Sequence, residues 1–322
     1  MNNPFIIIST GRCGSTLLSN ILNSYEGITV IQEFWSYRNN RSQLMVNDSI
    51  SGENLWKELI QPMPKDLYKI LLSGRIPTAL NIHGRLDNVL LRTTLPILFN
   101  NSEKVLMELE KEIQKETLKE KSLLFEQIFS FIASKKSSDI WIERTGGSLR
   151  YIDQLISMWP NGKYIHIYRD GRNCAMSMAK HPTFVYGYIK RYNNSSLSKI
   201  GYDLTKGLLS KQQIKQMEHL FAIEWSRQII NANNILKSIQ PDNICSVSFE
   251  SLLLNPIDEI SKIIKFVINS DFVNKDWLKL VKKQIKKPTC NFLDMSMNDK
   301  KKITELCSEG LDLLGYSLSA LN

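Results

Sequence analysis

Four consecutive apolar residues near the start of the chain, Phe5-Ile6-Ile7-Ile8, give way to a polar run, Ser9-Thr10-Gly11-Arg12-Cys13-Gly14-Ser15-Thr16, and then to Leu17-Leu18-Ser19-Asn20-Ile21-Leu22. This pattern predicts a buried strand, a tight turn and a helix. A second strand is expected near Ile28-Thr29-Val30-Ile31. Further on, Leu106 to Phe131 mixes charged residues with apolar ones at helical spacing, and Pro62, Pro64, Pro77 and Pro96 interrupt the stretch before it. Residues 139–180 read as strand, helix, strand, helix, with Lys163-Tyr164-Ile165-His166-Ile167-Tyr168 as the second of these strands. Met217 to Ile239 predicts a long amphipathic helix that ends before Pro241, Asn243 to Phe249 a late strand, and the remainder is mostly helical. Strands alternating with helices imply an α/β fold, a parallel sheet flanked by helices. Residues 1–322 are expected to form a single domain in which 36–138 is a helical insertion.

The first turn has the make-up of an anion site. Two glycines allow backbone N–H groups to converge, and the following helix N-terminus offers unpaired N–H groups and the positive end of its dipole. Ser15 and Thr16 add hydroxyl donors, and Arg12 adds a permanent charge. The turn is P-loop-like without being the nucleotide triphosphatase loop, because no Gly-Lys-Ser/Thr follows at the required spacing, and the dinucleotide fingerprint lacks its third glycine. The second strand-to-helix junction, Arg169-Asp170-Gly171-Arg172, has a similar logic. Arg169 ends the strand, and Ser177 lies about two turns into the helix, so both can face the crevice in which open α/β sheets bind ligands.

Composition narrows the class without choosing within it. With 322 residues and 43% hydrophobic content, the chain can bury a substantial core. Cys13, Cys174, Cys245, Cys290 and Cys307 show no close pairing, which argues against a disulfide framework or a zinc site. No apolar run approaches a membrane span, and residues 1–8 are used by the first strand. The expectation is therefore a cytoplasmic protein with no signal peptide. The net charge of +9 owes much to Lys282-Lys283, Lys286-Lys287 and Lys300-Lys301-Lys302. Such runs are usually solvated faces, and no nucleic-acid motif accompanies them.

Thr10-Gly11-Arg12-Cys13-Gly14-Ser15-Thr16-Leu17-Leu18 resembles the 5′-phosphosulfate loop of the sulfotransferases that use 3′-phosphoadenosine 5′-phosphosulfate (PAPS), and Arg169 with Ser177 resembles their 3′-phosphate pair. Further resemblances follow in order: Trp141-Ile142-Glu143-Arg144-Thr145-Gly146-Gly147, Trp159-Pro160-Asn161-Gly162-Lys163, Ser248-Phe249-Glu250-Ser251-Leu252 with Asn255-Pro256, and Leu314-Gly315-Tyr316. They span the chain except for roughly residues 40–138. The resemblance implies a PAPS donor held by Arg12, Cys13, Gly14, Ser15, Thr16, Leu17, Arg169, Ser177 and Phe249, with Phe249 near the adenine and no metal. Arg12 stands where the family usually has a lysine, so it can stabilise the leaving phosphate but cannot donate a proton at neutral pH.

Transfer of a sulfuryl group needs in-line positioning, stabilisation of charge and removal of the acceptor's proton. Gln32-Glu33-Phe34-Trp35 resembles the Gln-Glu-aromatic-aromatic segment of the bacterial trehalose-type sulfotransferases, which implies Glu33 as general base. Two neighbouring rings are expected to desolvate this carboxylate and raise its pKa. His83 is the second candidate; His166 reads as a core residue, and His181 and His219 have no supporting context. The implied acceptor is a hydroxyl of a carbohydrate, glycolipid or small molecule, with the 36–138 insertion on its side of the site and no nucleic acid as partner. Two other readings stay open: a nucleotide-dependent kinase with a divergent loop, and a basic nucleic-acid-binding protein without catalysis.

Overall fold

The computed structural model describes residues 3–38, 40–72, 88–270, 273–285 and 291–319. Five strands form one parallel sheet in the order β2-β5-β1-β6-β7: β1 (Phe5–Ile8), β2 (Ile28–Gln32), β5 (Ile140–Arg144), β6 (Lys163–Tyr168) and β7 (Ile244–Ser248). β1 is central and buried throughout, as an uninterrupted apolar run in a parallel sheet must be. Its neighbours are set by register, with Ile7 opposite both Arg144 and Ile165. The chain winds from β1 towards β2 on one side and later to β6 on the other, so the C-terminal ends of β1 and β6 border the crevice where such sheets bind ligands.

Between β2 and β5 lie the short helix α2 (Arg41–Leu44), then α3 (Gly52–Leu59), α4 (Lys65–Leu72), α5 (Thr94–Leu98), α6 (Ser102–Gln114) and α7 (Lys121–Ser134). A two-stranded antiparallel ladder, β3 (Ser49–Ile50) with β4 (Lys119–Glu120), ties the middle of this region to its end. The single helical stretch expected over Leu106–Phe131 is therefore two helices. The break follows from packing: Gly52 N–H donates to Glu116 O at 3.0 Å, and a Cβ on Gly52 would meet Ile113 O at 1.7 Å. The start of α3 thus sits directly on the end of α6. Of these helices, α7 packs against both β2 and β5. Phe125 and Phe129 from α7 join Phe34, Trp35, Trp141 and Trp159 in an aromatic cluster, with ring centroids 4.9–6.4 Å apart.

The remaining helices are α1 (Ser15–Asn23), α8 (Ile152–Met158), α9 (Gly171–Ala179), α10 (Pro182–Tyr192), α11 (Ser198–Lys206), α12 (Lys211–Ser238), α13 (Phe249–Leu254), α14 (Pro256–Ile268), α15 (Lys275–Gln284) and α16 (Met297–Leu313). The alternation expected over 139–180 is observed as β5, α8, β6 and α9. The long helix begins earlier than its apolar periodicity suggested, because Ser210 and Gln213 form a reciprocal capping box. Among the described residues, no helix is long and apolar enough to cross a membrane. Cys13, Cys174, Cys245 and Cys307 are buried free thiols, and Cys290 lies outside the described residues.

Candidate active site

The turn after β1 is held open by its backbone. Gly11, Arg12 and Gly14 have φ of +99°, +56° and +90°, a left-handed run that turns the chain sharply into α1. Phe184 packs on Gly11 and Phe249 on Gly14 so closely that a Cβ would lie 2.6 Å and 2.1 Å from the respective rings. Gly14 is the N-cap of α1, with no side chain capping the helix and no acidic residue in its first turn. The first-turn N–H groups therefore lack intrahelical acceptors. Behind the turn, Ser148 Oγ accepts from Ser9 N–H and donates to Ile7 O, which braces the loop against the next crossover. Thr16 is exposed, Leu17 is half-buried, and the side chains of Cys13 and Ser15 are buried. At Cys13, what reaches the concavity is backbone.

The second junction meets the first. Arg12 Nε donates to Ser177 Oγ at 3.0 Å, and Arg169 Nη1 donates to Arg12 O at 3.3 Å. Arg169, though only 6% exposed, lies 4.8 Å over the Phe249 ring. Arg12, Gly14, Arg169, Ser177 and Phe249 thus line one place. Asp170 caps α9 by accepting Arg172 N–H at 2.9 Å and also takes the Arg172 guanidinium at 2.6 Å. Its own N–H donates to Glu250 Oε1 at 3.1 Å, and Tyr316 donates to Glu250 Oε2 at 2.7 Å. The late sequence motifs therefore support the Arg169 turn from behind.

Glu33 lies at the end of β2 with φ +58°, beside β5. One carboxylate oxygen pairs with Arg144; the other accepts from Ser36 Oγ and from Gly146 N–H at 3.3 Å. Arg144 is itself fixed by Ser19 Oγ at 3.1 Å and by Gln32. Burial alone would raise the Glu33 pKa, but Arg144, Ser36, Gly146 and Arg41 together hold it below the usual carboxylate value. This overturns the expected upward shift: Phe34 and Trp35 are fully buried in the aromatic core, while the carboxylate is met by cations and donors.

Two further side chains complete this side. Tyr37, at φ +61°, has its hydroxyl proton held more tightly than usual, first by burial and then by the Glu33 charge, against a smaller opposing effect from Thr183. His181 shares a 2.9 Å hydrogen bond with Thr183 Oγ1 through Nδ1 and stands edge-on to Phe184 at 5.4 Å. Burial, then the Arg12 charge, pushes its pKa down to about 4. His181 had no supporting context in the sequence. Its only signal was its place four residues beyond Ser177, where α9 ends and α10 begins. His166 is 4% exposed in β6, a core residue as expected. His83, Lys286 and Lys287 lie outside the described residues, while Lys282 and Lys283 end α15.

Comparison with known proteins was made against this geometry. A family model described as the sulfotransferase family matches residues 4–268. A sulfotransferase from Mycobacterium avium superposes with a TM-score of 0.50 at 11% identity, covering 98% of this chain and 78% of its own. The sulfotransferase domain from the curacin biosynthetic pathway also gives 0.50, at 11% identity over 99% of this chain and 100% of that one. That of the Synechococcus PCC 7002 olefin synthase gives 0.50 at 14% identity, covering 99% and 98%. At these identities the likeness is one of fold. Among curated proteins, no sequence match is found.

Proposed function

The chain belongs to the sulfotransferase family, and from that premise we propose that it moves a sulfuryl group from 3′-phosphoadenosine 5′-phosphosulfate to a hydroxyl of a carbohydrate, glycolipid or small molecule. The observation that carries the donor assignment is the meeting of the two anion motifs, Arg12 Nε on Ser177 Oγ with Arg169 on the Arg12 carbonyl. A donor with a 5′-phosphosulfate and a 3′-phosphate needs two anion-binding ends within one nucleotide's length, and the meeting of these two motifs supports that reading. The cradle also suits the group between those ends. The Phe249 ring, seated on Gly14 and stacked under Arg169, suits a base.

In this reading the amides of Gly14, Ser15, Thr16 and Leu17 hold the 5′-phosphosulfate, and Arg169 with Ser177 holds the 3′-phosphate. Arg12 offsets charge that develops on the leaving 5′-phosphate. Glu33 supplies a fixed negative charge on the acceptor side, ionised throughout the neutral range. The kinase and nucleic-acid-binding readings have no support from the family match. The test is calorimetric titration with 3′,5′-bisphosphoadenosine, ADP and ATP on wild type and Arg169→Ala, followed by an acceptor screen with labelled donor. Selective binding of the bisphosphate that collapses in the variant is the expected result. Equal binding of all three nucleotides, or none, overturns the reading.

A further inference from the structure

We propose that His181 receives the acceptor's proton through Nε2, with Glu33 as the charge that stabilises the resulting imidazolium. The inference rests on the sulfuryl-transfer reading and changes the assignment of the base within it.

Glu33 is poorly suited to the task expected of it. Both of its oxygens are engaged, by Arg144, Ser36 and the Gly146 amide, and a carboxylate so held gives up basicity. The arrangement is that of a carboxylate that orients and offsets charge.

His181 has the opposite character. Its ring is held at Nδ1 by Thr183 and edge-on by Phe184, whose own ring lies on Gly11 of the anion turn. Thr183 also acts on the hydroxyl of Tyr37, four residues after Glu33. The imidazole therefore sits beside the donor loop, which it meets through the Phe184 ring, with Thr183 on its other side. In the tautomer whose Nδ1–H donates to Thr183, the Nε2 lone pair is open, and among the described residues no hydrogen bond to Nε2 is seen. The charged groups that act on it are Arg12, on the donor side, and Glu33, on the acceptor side; the titratable Tyr37 faces it through Thr183. Burial, and after it the Arg12 charge, keeps the imidazole neutral. A bound polyanion offsets Arg12 and raises the proton affinity of Nε2 towards working pH, where a general base is effective.

The balanced step is as follows. The acceptor O–H proton moves to Nε2, the acceptor oxygen bonds to sulfur, and the bond from sulfur to the bridging oxygen breaks. The electron pair of that bond leaves on the 5′-phosphate of 3′,5′-bisphosphoadenosine, and the imidazolium later releases its proton to solvent.

Two measurements test this without a known acceptor. The chain has four histidines, so selective 13C labelling, with His181→Asn for assignment, follows its titration directly. Its midpoint should rise by at least one pH unit when 3′,5′-bisphosphoadenosine is added. Water then serves as the probe acceptor, in slow hydrolysis of PAPS. His181→Asn keeps a good helix cap and a polar atom near Nδ1 but has nothing at Nε2. It should lower the hydrolysis rate at least tenfold and remove the acidic limb of the pH profile, with bisphosphate affinity unchanged within twofold. His181→Gln, which restores a polar atom near Nε2 without a titratable group, should behave alike. Glu33→Gln should keep the acidic limb. The proposal is overturned if the limb survives in both His181 variants, if it disappears in Glu33→Gln instead, or if the wild type binds the bisphosphate yet hydrolyses no PAPS. Failure of the wild type to bind the bisphosphate at all would instead sink the donor assignment.

Discussion

Arg12 Nε and Ser177 Oγ, 165 positions apart in sequence, are 3.0 Å apart in space. The bond joins the turn after β1 to the helix after β6, and it makes Ser177 a partner of the loop as well as a candidate ligand for the 3′-phosphate. Ser177→Ala removes a neutral hydroxyl, a loss of about 1 kcal/mol. Affinity for 3′,5′-bisphosphoadenosine should fall roughly five- to tenfold, while affinity for ADP, which lacks the 3′-phosphate, stays within twofold. Parallel calorimetric titrations check this, and an equal loss for both nucleotides would remove Ser177 from 3′-phosphate recognition.

Gly14 and Gly27 form a natural pair of controls. Both have positive φ, +90° and +80°, yet a Cβ on Gly14 meets the Phe249 ring whereas one on Gly27 meets nothing within 4 Å. Gly27→Ala should cost only the backbone strain, about 1 kcal/mol. Gly14→Ala adds overpacking of about 1–3 kcal/mol and should abolish nucleotide binding. Denaturant unfolding of the two variants measures the difference, and equal destabilisation would argue against the tight Phe249 contact.

Glu143, fully buried on β5, has its pKa raised to about 8, chiefly by burial, against smaller opposing effects from Thr145 and Arg41. The folded state therefore holds a proton that the unfolded chain releases near pH 4.5. Its contribution to stability is fully present below that value and is lost as pH rises through about 8. Glu143→Gln should flatten the decline in stability between these limits. Chemical denaturation at intervals across this range is the check, and an unchanged slope would mean that Glu143 is ionised in the folded protein.

Tyr316→Phe deletes the hydroxyl that bonds Glu250, which itself holds the Asp170 amide behind Arg169. A hydrogen bond to a charged group of this kind is worth about 1.5–3 kcal/mol. Thermal unfolding should show that loss, with a smaller fall in bisphosphate affinity because Arg169 is less firmly placed. A variant as stable as wild type would show that the C-terminal segment does not brace the site.

The legible parts of this protein were those in which backbone geometry leaves a mark on sequence. The run Phe5–Ile8, the paired glycines of the turn, and Arg169 at a strand end with Ser177 two turns later each reflect a local requirement. What escaped was set by distant partners. The Glu33 carboxylate lies beside aromatic residues in sequence, but its basicity is fixed by Arg144 and Gly146, more than a hundred positions away. His181 had no context in the sequence because the Arg12 and Glu33 charges that act on it reach it only through tertiary folding. The break between α6 and α7 was hidden for the same reason, since it answers to α3 and to the β3–β4 ladder rather than to its own residues.

α7 covers β2 and β5, and that is all a parallel crossover requires of the segment joining them. The described residues before it are nevertheless tied to the sheet: α5 packs on β2 and Thr94 Oγ1 donates to Gln32 O at 2.9 Å, so a change in this region is felt at the residue next to Glu33.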